Sequence, residues 1–197
     1  MLTIAWDVDD VLNDLMFAWF TYCWLANHPD CSVAYEDLTE NPPHNILGIT
    51  LSDYVDSLDQ FRLSADFEDI IKKNNLISTW FSEHGHKAQH VALTAVPKVA
   101  SQVSAHWVLK HFGEWIRTFH FIPSKRAGVI NVSYDDSKQD YMKEHDIDII
   151  VEDNPENVIG VNGFGAKGLL LSQPWNSSSD SIETVLQKLT QLIKENS

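Results

Sequence analysis

The sequence predicts an α/β fold: a doubly wound parallel sheet carrying a small helical insertion after its first strand. Three observations point there. Short apolar runs alternate with amphipathic stretches of helical spacing along most of the 197 residues. Several of the apolar runs are followed at once by acidic or hydroxyl residues, and open parallel sheets hold their ligands outside the carboxyl ends of the strands. Between about residues 15 and 75 the alternation lapses, because Pro29, Pro42 and Pro43 break the chain and no strand pattern appears.

Residues 2–6 form a short apolar run that stops at Asp7, as a buried strand would. Residues 16–25 are crowded with Phe17, Trp19, Phe20, Tyr22 and Trp24 and read as a helix. An aromatic stripe at helical spacing is first a core feature, and only second a wall that stacks on a substrate; Tyr54 and Phe61 read the same way. Amphipathic pieces follow at 51–61 and 67–73. Regular alternation then resumes: helix 77–84, strand 90–93, and helix 98–112 with Val99, Val103, Trp107 and Val108 inward. Next come strand 118–122, a short helix at 137–144, and strand 147–151 ending in Glu152-Asp153. A helical turn at 155–162, strand 166–171 and helix 181–194 close the chain, the last with Ile182, Val185, Leu189 and Ile193 on one face. The expected division is an α/β core, 1–14 and 76–197, and a small helical cap insertion, 15–75. Neither internal repeats nor low-complexity tracts are present.

Fourteen Lys and Arg against 28 Asp and Glu give a formal net charge of −14. A field of that sign repels polyanions, so neither a nucleic-acid polymer nor an anionic membrane surface is an expected partner. A small phosphorylated substrate is compatible with it where a metal ion reverses the charge locally. The two cysteines, Cys23 and Cys31, make neither a disulfide framework nor a zinc site by themselves. The nine histidines are scattered, and His84 and His86 lie two apart, a spacing that shares no helix face. No apolar run approaches the ~20 residues needed to span a bilayer, and a strand pattern starting just after Met1 leaves no secretory leader. A soluble, cytoplasmic protein is expected, with a homodimer as its assembly.

Chemistry concentrates at the predicted strand ends. The first carries Asp7-Val8-Asp9-Asp10, the second Thr94, and the last helix–strand unit Lys138 and then Glu152-Asp153. Carboxylates gathered at one edge repel unless a cation or protons compensate. Oxygen ligands on an open edge suit Mg²⁺, which takes one or two carboxylates and keeps several waters.

In that order and at strand ends, Asp7-Val8-Asp9-Asp10-Val11-Leu12, Thr94, Lys138 and Glu152-Asp153 resemble the four motifs of the haloacid dehalogenase (HAD) superfamily. The insertion after the first motif, Glu-Asp-Asn-Pro-Glu-Asn at 152–157, and Gln173-Pro174-Trp175-Asn176 resemble more narrowly the deoxyribonucleotidase-type 5′-nucleotidases. The resemblance implies a HAD-like Rossmannoid core and a magnesium-dependent phosphomonoester hydrolase. Asp7 would be the nucleophile that forms an aspartyl-phosphate, and Asp9 the acid for the leaving alcohol and then the base for water. Thr94 and Lys138 would hold the phosphoryl oxygens and the nucleophile. Lys125 and Lys143 compete with Lys138, which is favoured because it opens the helix leading to Glu152. Mg²⁺ would be held by Asp7, by the main-chain carbonyl of Asp9, and by Glu152 or Asp153. The narrower resemblance extends the expected substrates to (deoxy)nucleoside monophosphates, with another small phosphorylated metabolite as the alternative.

Three departures stand out. Asp10 occupies a position where the family usually has Gly, Ala95-Val96-Pro97 follows Thr94 without the Arg often found there, and Glu152 stands where Asp is commoner. A phospho-receiver module also combines acids, a Thr and a Lys on a doubly wound sheet. Its Lys comes last, however, whereas here Lys138 precedes the final acid pair, and no insertion of about 60 residues follows its first strand.

Overall fold

The computed structural model describes residues 1–124, 126, 129, 130, 132 and 137–196. The chain opens with β1 (Thr3–Trp6) and turns through a π-type segment, Val8–Leu12. A helical run follows: α1 (Leu15–Ala18), a π-helical stretch over Trp19–Trp24, and α2 (Leu25–Asn27). The insertion continues with α3 (Leu51–Arg62) and α4 (Phe67–Ile70), and α5 (Asn75–His84) returns the chain to the sheet. The remainder alternates: β2 (Gln89–Val96), α6 (Ser101–Phe112), β3 (Ile116–Pro123), α7 (Lys138–Glu144), β4 (Ile149–Glu152), α8 (Pro155–Asn162), β5 (Lys167–Leu170) and α9 (Ile182–Glu195).

All five strands are parallel, in the order β3-β2-β1-β4-β5. The expected doubly wound sheet is therefore present, and β1 is its central strand. Burial on both faces explains why its strands read as continuous apolar runs. Ile4, Trp6, Ile149 and Val151 face one hydrophobic cluster, shared with α5, α6 and α9. Ala5 and Ile150 face the other, with Tyr141, Met142 and Val161 from α7 and α8. Gly168 in β5 marks a close approach, since a Cβ there would lie 2.7 Å from Val158 Cγ1 of α8.

Several boundaries move. Strand β2 runs from Gln89 to Val96, so Thr94 lies inside the strand, paired with Phe121 of β3, rather than just beyond its end. Strand β4 begins at Ile149 and includes Glu152, and helix 98–112 starts as a 3₁₀ turn over Lys98–Ala100. Within that turn Val99 points to solvent, 61% exposed, because the tighter winding rotates it off the face that carries Trp107 and Val108.

The insertion buries its apolar side in the same cluster as the sheet: Trp19, Phe20 and Trp24 join Tyr54, Leu58 and Phe61 of α3 there. Thr50 caps α3 by accepting from Asp53 N while the Asp53 carboxylate accepts from Thr50 N, a reciprocal pairing at an otherwise frayed end. No helix among the described residues is long and apolar enough to cross a membrane.

Candidate active site

The carboxyl ends of β1 and β4 lie side by side, held by the register Trp6↔Val151 and by Asp7 N donating to Val151 O. That register brings Asp7, Glu152 and Asp153 together: one oxygen from each lies within 4.8 Å of the others, and all three residues are buried. Lys138, first residue of α7, reaches into the cluster. Its Nζ lies 2.8 Å from Asp7 Oδ2 and 2.8 Å from Glu152 Oε2. Of the competing lysines, Lys125 lies outside the described residues, and Lys143 stands over the Phe164 ring.

Glu152 spends both oxygens. Oε2 accepts from Lys138, and Oε1 accepts from Asn154 N and Asn157 Nδ2. Asp153 is steadied from the segment after β5, where Trp175 Nε1 donates to Asp153 Oδ2 and Asn176 Nδ2 to its carbonyl, each at 2.8 Å. The cap of α8 is Asn154, whose side chain accepts from Glu156 N, so neither acid of the pair serves as that helix's cap.

The segment after β1 sets the other acids. Asp7 Oδ1 accepts from Val8 N, opening the π-type turn. Asp10 sits in the left-handed region, φ 62°, where Asp is better tolerated than most side chains. This accounts for the glycine usual in the resembling family, and it costs the backbone little here because Asp10 Oδ1 accepts from Met16 N at 2.8 Å. Gln173 Nε2 donates to Asp10 O, fastening the same turn from beyond β5. Asp9 points elsewhere. Its carboxylate accepts from Asn13 Nδ2 and pairs at 2.7 Å with Arg62 NH2, the last residue of α3.

Arg62 is the residue that sequence reasoning missed. It is 8% exposed, and its NH1 also contacts Asp59, which Arg126 grips through Nε and NH2. Asp9, Arg62, Asp59 and Arg126 thus form one alternating chain of charge across the top of the sheet. An Arg among the polar residues of an amphipathic helix carries no signal of its own; only the i, i+3 acid at Asp59 hinted at a partner. Asn157 and Trp175 lay inside motifs that the resemblance singled out.

Electrostatics follow from burial. Desolvation, reinforced by Glu152, pushes Asp7 up to about 7 despite Lys138. Desolvation and the Asp7 charge push Asp153 to about 7, and burial raises Glu152 as well. Burial also works to lower Lys138, yet the Asp7 and Glu152 carboxylates outweigh it and hold the ammonium above its usual range. A set of oxygen donors that resists carrying its own charge fits a divalent cation, which would relieve that repulsion.

The acids open into a cavity of about 180 Å³, which Thr94 and Lys138 line, with Leu15, Met16, Tyr54 and Leu58 from the insertion as its apolar wall. The structure therefore brings Asp7, Asp9, Thr94, Lys138, Glu152 and Asp153 to one cavity. Of the aromatics, Tyr54 reaches it, while Trp19, Phe20 and Trp24 are core.

Comparison of the sequence with protein-family models and with curated proteins finds no match. Solved structures do match the fold. A haloacid dehalogenase-like family hydrolase from Streptococcus pneumoniae aligns over 98% of both chains with TM-score 0.63 and 13% identity. A predicted phosphatase from Clostridium acetobutylicum aligns over 99% of this chain and 97% of its own, with TM-score 0.57 and 16% identity. A haloacid dehalogenase-like hydrolase from Xanthomonas campestris aligns over 99% and 93%, with TM-score 0.57 and 11% identity. Across nearly its whole length, the chain has the fold of the haloacid dehalogenase-like hydrolases.

Proposed function

We propose that this chain is a Mg²⁺-dependent phosphomonoester hydrolase acting through an aspartyl-phosphate on Asp7. One observation carries the reading: Asp7, at the end of the central strand, shares Lys138 with Glu152 and an oxygen cluster with Asp153. An Asp oxygen attacks phosphorus while the bond to the alcohol oxygen breaks, and Asp9 hands its proton to that oxygen. In the second step Asp9 takes a proton from water as the water oxygen attacks phosphorus, and inorganic phosphate leaves with Asp7 restored. In the arrangement seen here the Asp9 carboxyl group accepts hydrogen bonds from Arg62 and Asn13 at the edge of the cavity. Lys138 favours the ionised nucleophile and offsets charge on the phosphoryl oxygens, and Thr94, buried at the cavity wall, offers its hydroxyl to them. Asp7, the Asp9 carbonyl and Asp153 would hold the metal, which when bound neutralises charge at the phosphoryl group. Asp153 is favoured over Glu152 as the direct ligand because the Glu152 carboxylate already accepts three hydrogen bonds, two of them at Oε1.

Nucleoside monophosphates remain a second reading, supported by the way Trp175 and Asn176 of the Pro-Trp-Asn segment hold Asp153. Volume argues for a smaller alcohol, since about 180 Å³ falls below the ~300–1,000 Å³ of pockets that bury a drug-sized ligand.

The test is hydrolysis of p-nitrophenyl phosphate with Mg²⁺, with EDTA, and with Asp7→Asn. Wild type should turn over only with the metal, and the near-isosteric amide should abolish turnover while the circular dichroism spectrum is retained. Full activity in chelator would remove the metal, and near-wild-type rates for Asp7→Asn would remove the nucleophile.

A further inference from the structure

We infer that the alcohol half of the substrate carries no negative charge, so that the site takes phosphomonoesters of neutral alcohols and rejects those bearing a carboxylate or a second phosphate. This rests on the phosphatase reading above and specifies its substrate class.

The argument begins with the charges that face the cavity. Among the described residues lining it, five are acids (Asp7, Asp9, Asp10, Glu152 and Asp153) and two are bases, Lys138 and Arg62. Both bases are committed. Lys138 is buried between Asp7 and Glu152. Arg62 spends NH2 on Asp9 and NH1 on Asp59. Asp59 is itself gripped by two guanidinium nitrogens of Arg126, so Arg62 is fixed from both ends. A divalent cation at the acid cluster would answer the phosphoryl group and leave no surplus for a second anion.

The rest of the wall is neutral. Leu15, Met16 and Leu58 are apolar, and the Tyr54 hydroxyl is directed at the Met16 thioether, 3.9 Å away. Asn41 supplies an amide, which serves a hydroxyl as donor or acceptor alike. A carboxylate brought here would lose its water and face carboxylates at short range, the costliest arrangement for a charge. A hydroxyl in the same place loses little.

Matched pairs read this directly: glycerol 3-phosphate against 3-phosphoglycerate, and ethyl phosphate against phosphoglycolate, each assayed for kcat/KM with Mg²⁺. The neutral member of each pair should be preferred by roughly 10–100-fold. Asp59→Asn removes one anion behind Arg62 without touching the cavity wall, and it should shrink that preference, with a larger gain for the carboxylated substrates. Equal kcat/KM within each pair, or preference for the carboxylated member, overturns the inference while leaving the phosphatase reading intact. An unchanged preference in a folded Asp59→Asn enzyme overturns the part assigned to Arg62. If none of the four substrates nor p-nitrophenyl phosphate is hydrolysed, the phosphatase reading fails and the inference fails with it.

Discussion

His90, in β2, shows how much one buried side chain behind the site can decide. Its Nδ1 accepts from Trp6 Nε1 at 3.1 Å, so Nε2 must carry the proton and donate to Gly85 O at 2.9 Å. A second proton would set two donors against each other, and burial already pushes the imidazole down to about 4. The folded value lies below the unfolded value of about 6.5, so between those limits the unfolded chain binds more protons and stability falls as pH falls. The expected loss between pH 7 and pH 4 is about 3 kcal/mol. Urea unfolding of wild type and His90→Gln across that range should show the difference between them closing on acidification. A constant difference would contradict it. The pairing was invisible in the sequence because Trp6 and His90 meet only through strand register, whereas Asp7 and Asp9 were legible because a short apolar run delivers them to a predictable edge.

At the scale of elements, the turn from β1 into α1 depends on Asp10, which supplies both a left-handed backbone and the acceptor for Met16 N. Asp10→Ala loses the acceptor and is strained at φ 62°, so a destabilisation of about 1–3 kcal/mol is expected. Asp10→Asn keeps both features and removes a buried ionisable group whose charged form is opposed first by desolvation and then by Asp153, so it should unfold at or above the wild-type temperature. Calorimetry of the two variants with EDTA checks the order; Asp10→Asn melting below Asp10→Ala would refute it. The glycine substitution was readable at this position, but its compensation was not, because Asp10 and Met16 are six residues apart with no regular period between them. The insertion was likewise legible as helices. Arg62 was not, since its partner Asp9 is 53 residues away.

For the whole molecule the dominant quantity is the net charge of −14, and three buried acids, Asp7, Glu152 and Asp153, meet at the junction of β1 and β4. Without a cation, the carboxyl of Asp7 holds its proton up to about 7 in the folded state against ~3.9 unfolded. The folded state binds the extra proton in that window, so ionising Asp7 costs stability as pH rises through it. Mg²⁺ must displace the same proton, and its affinity should therefore rise from pH 6 to pH 8. At a concentration 100 times the dissociation constant, binding adds about 2.7 kcal/mol, or roughly 5–10 °C for a chain of this size. Thermal scans at pH 6 and pH 8, with and without Mg²⁺, should show the larger shift at pH 8. A pH-independent shift, or none, would place the cation elsewhere. Net charge was readable from composition, but the local crowding of carboxylates depends on β1 and β4 lying side by side, which no segment of sequence encodes alone.

The central position of β1 has a further consequence, for biosynthesis. Thr3 pairs with Gln89 and Ile4 with Ile149, so β1 leaves the ribosome well before both of the strands that flank it. At ~5–20 residues per second, the first of them arrives on the order of 10 s after β1, and the second later still. Throughout that interval an apolar segment, Thr-Ile-Ala-Trp, has both hydrogen-bonding edges unsatisfied. The helices of the insertion, built from local contacts, form on a far shorter timescale. They can give the nascent chain a hydrophobic surface on which β1 waits, so the segment that walls the cavity would also shelter the strand that delivers Asp7.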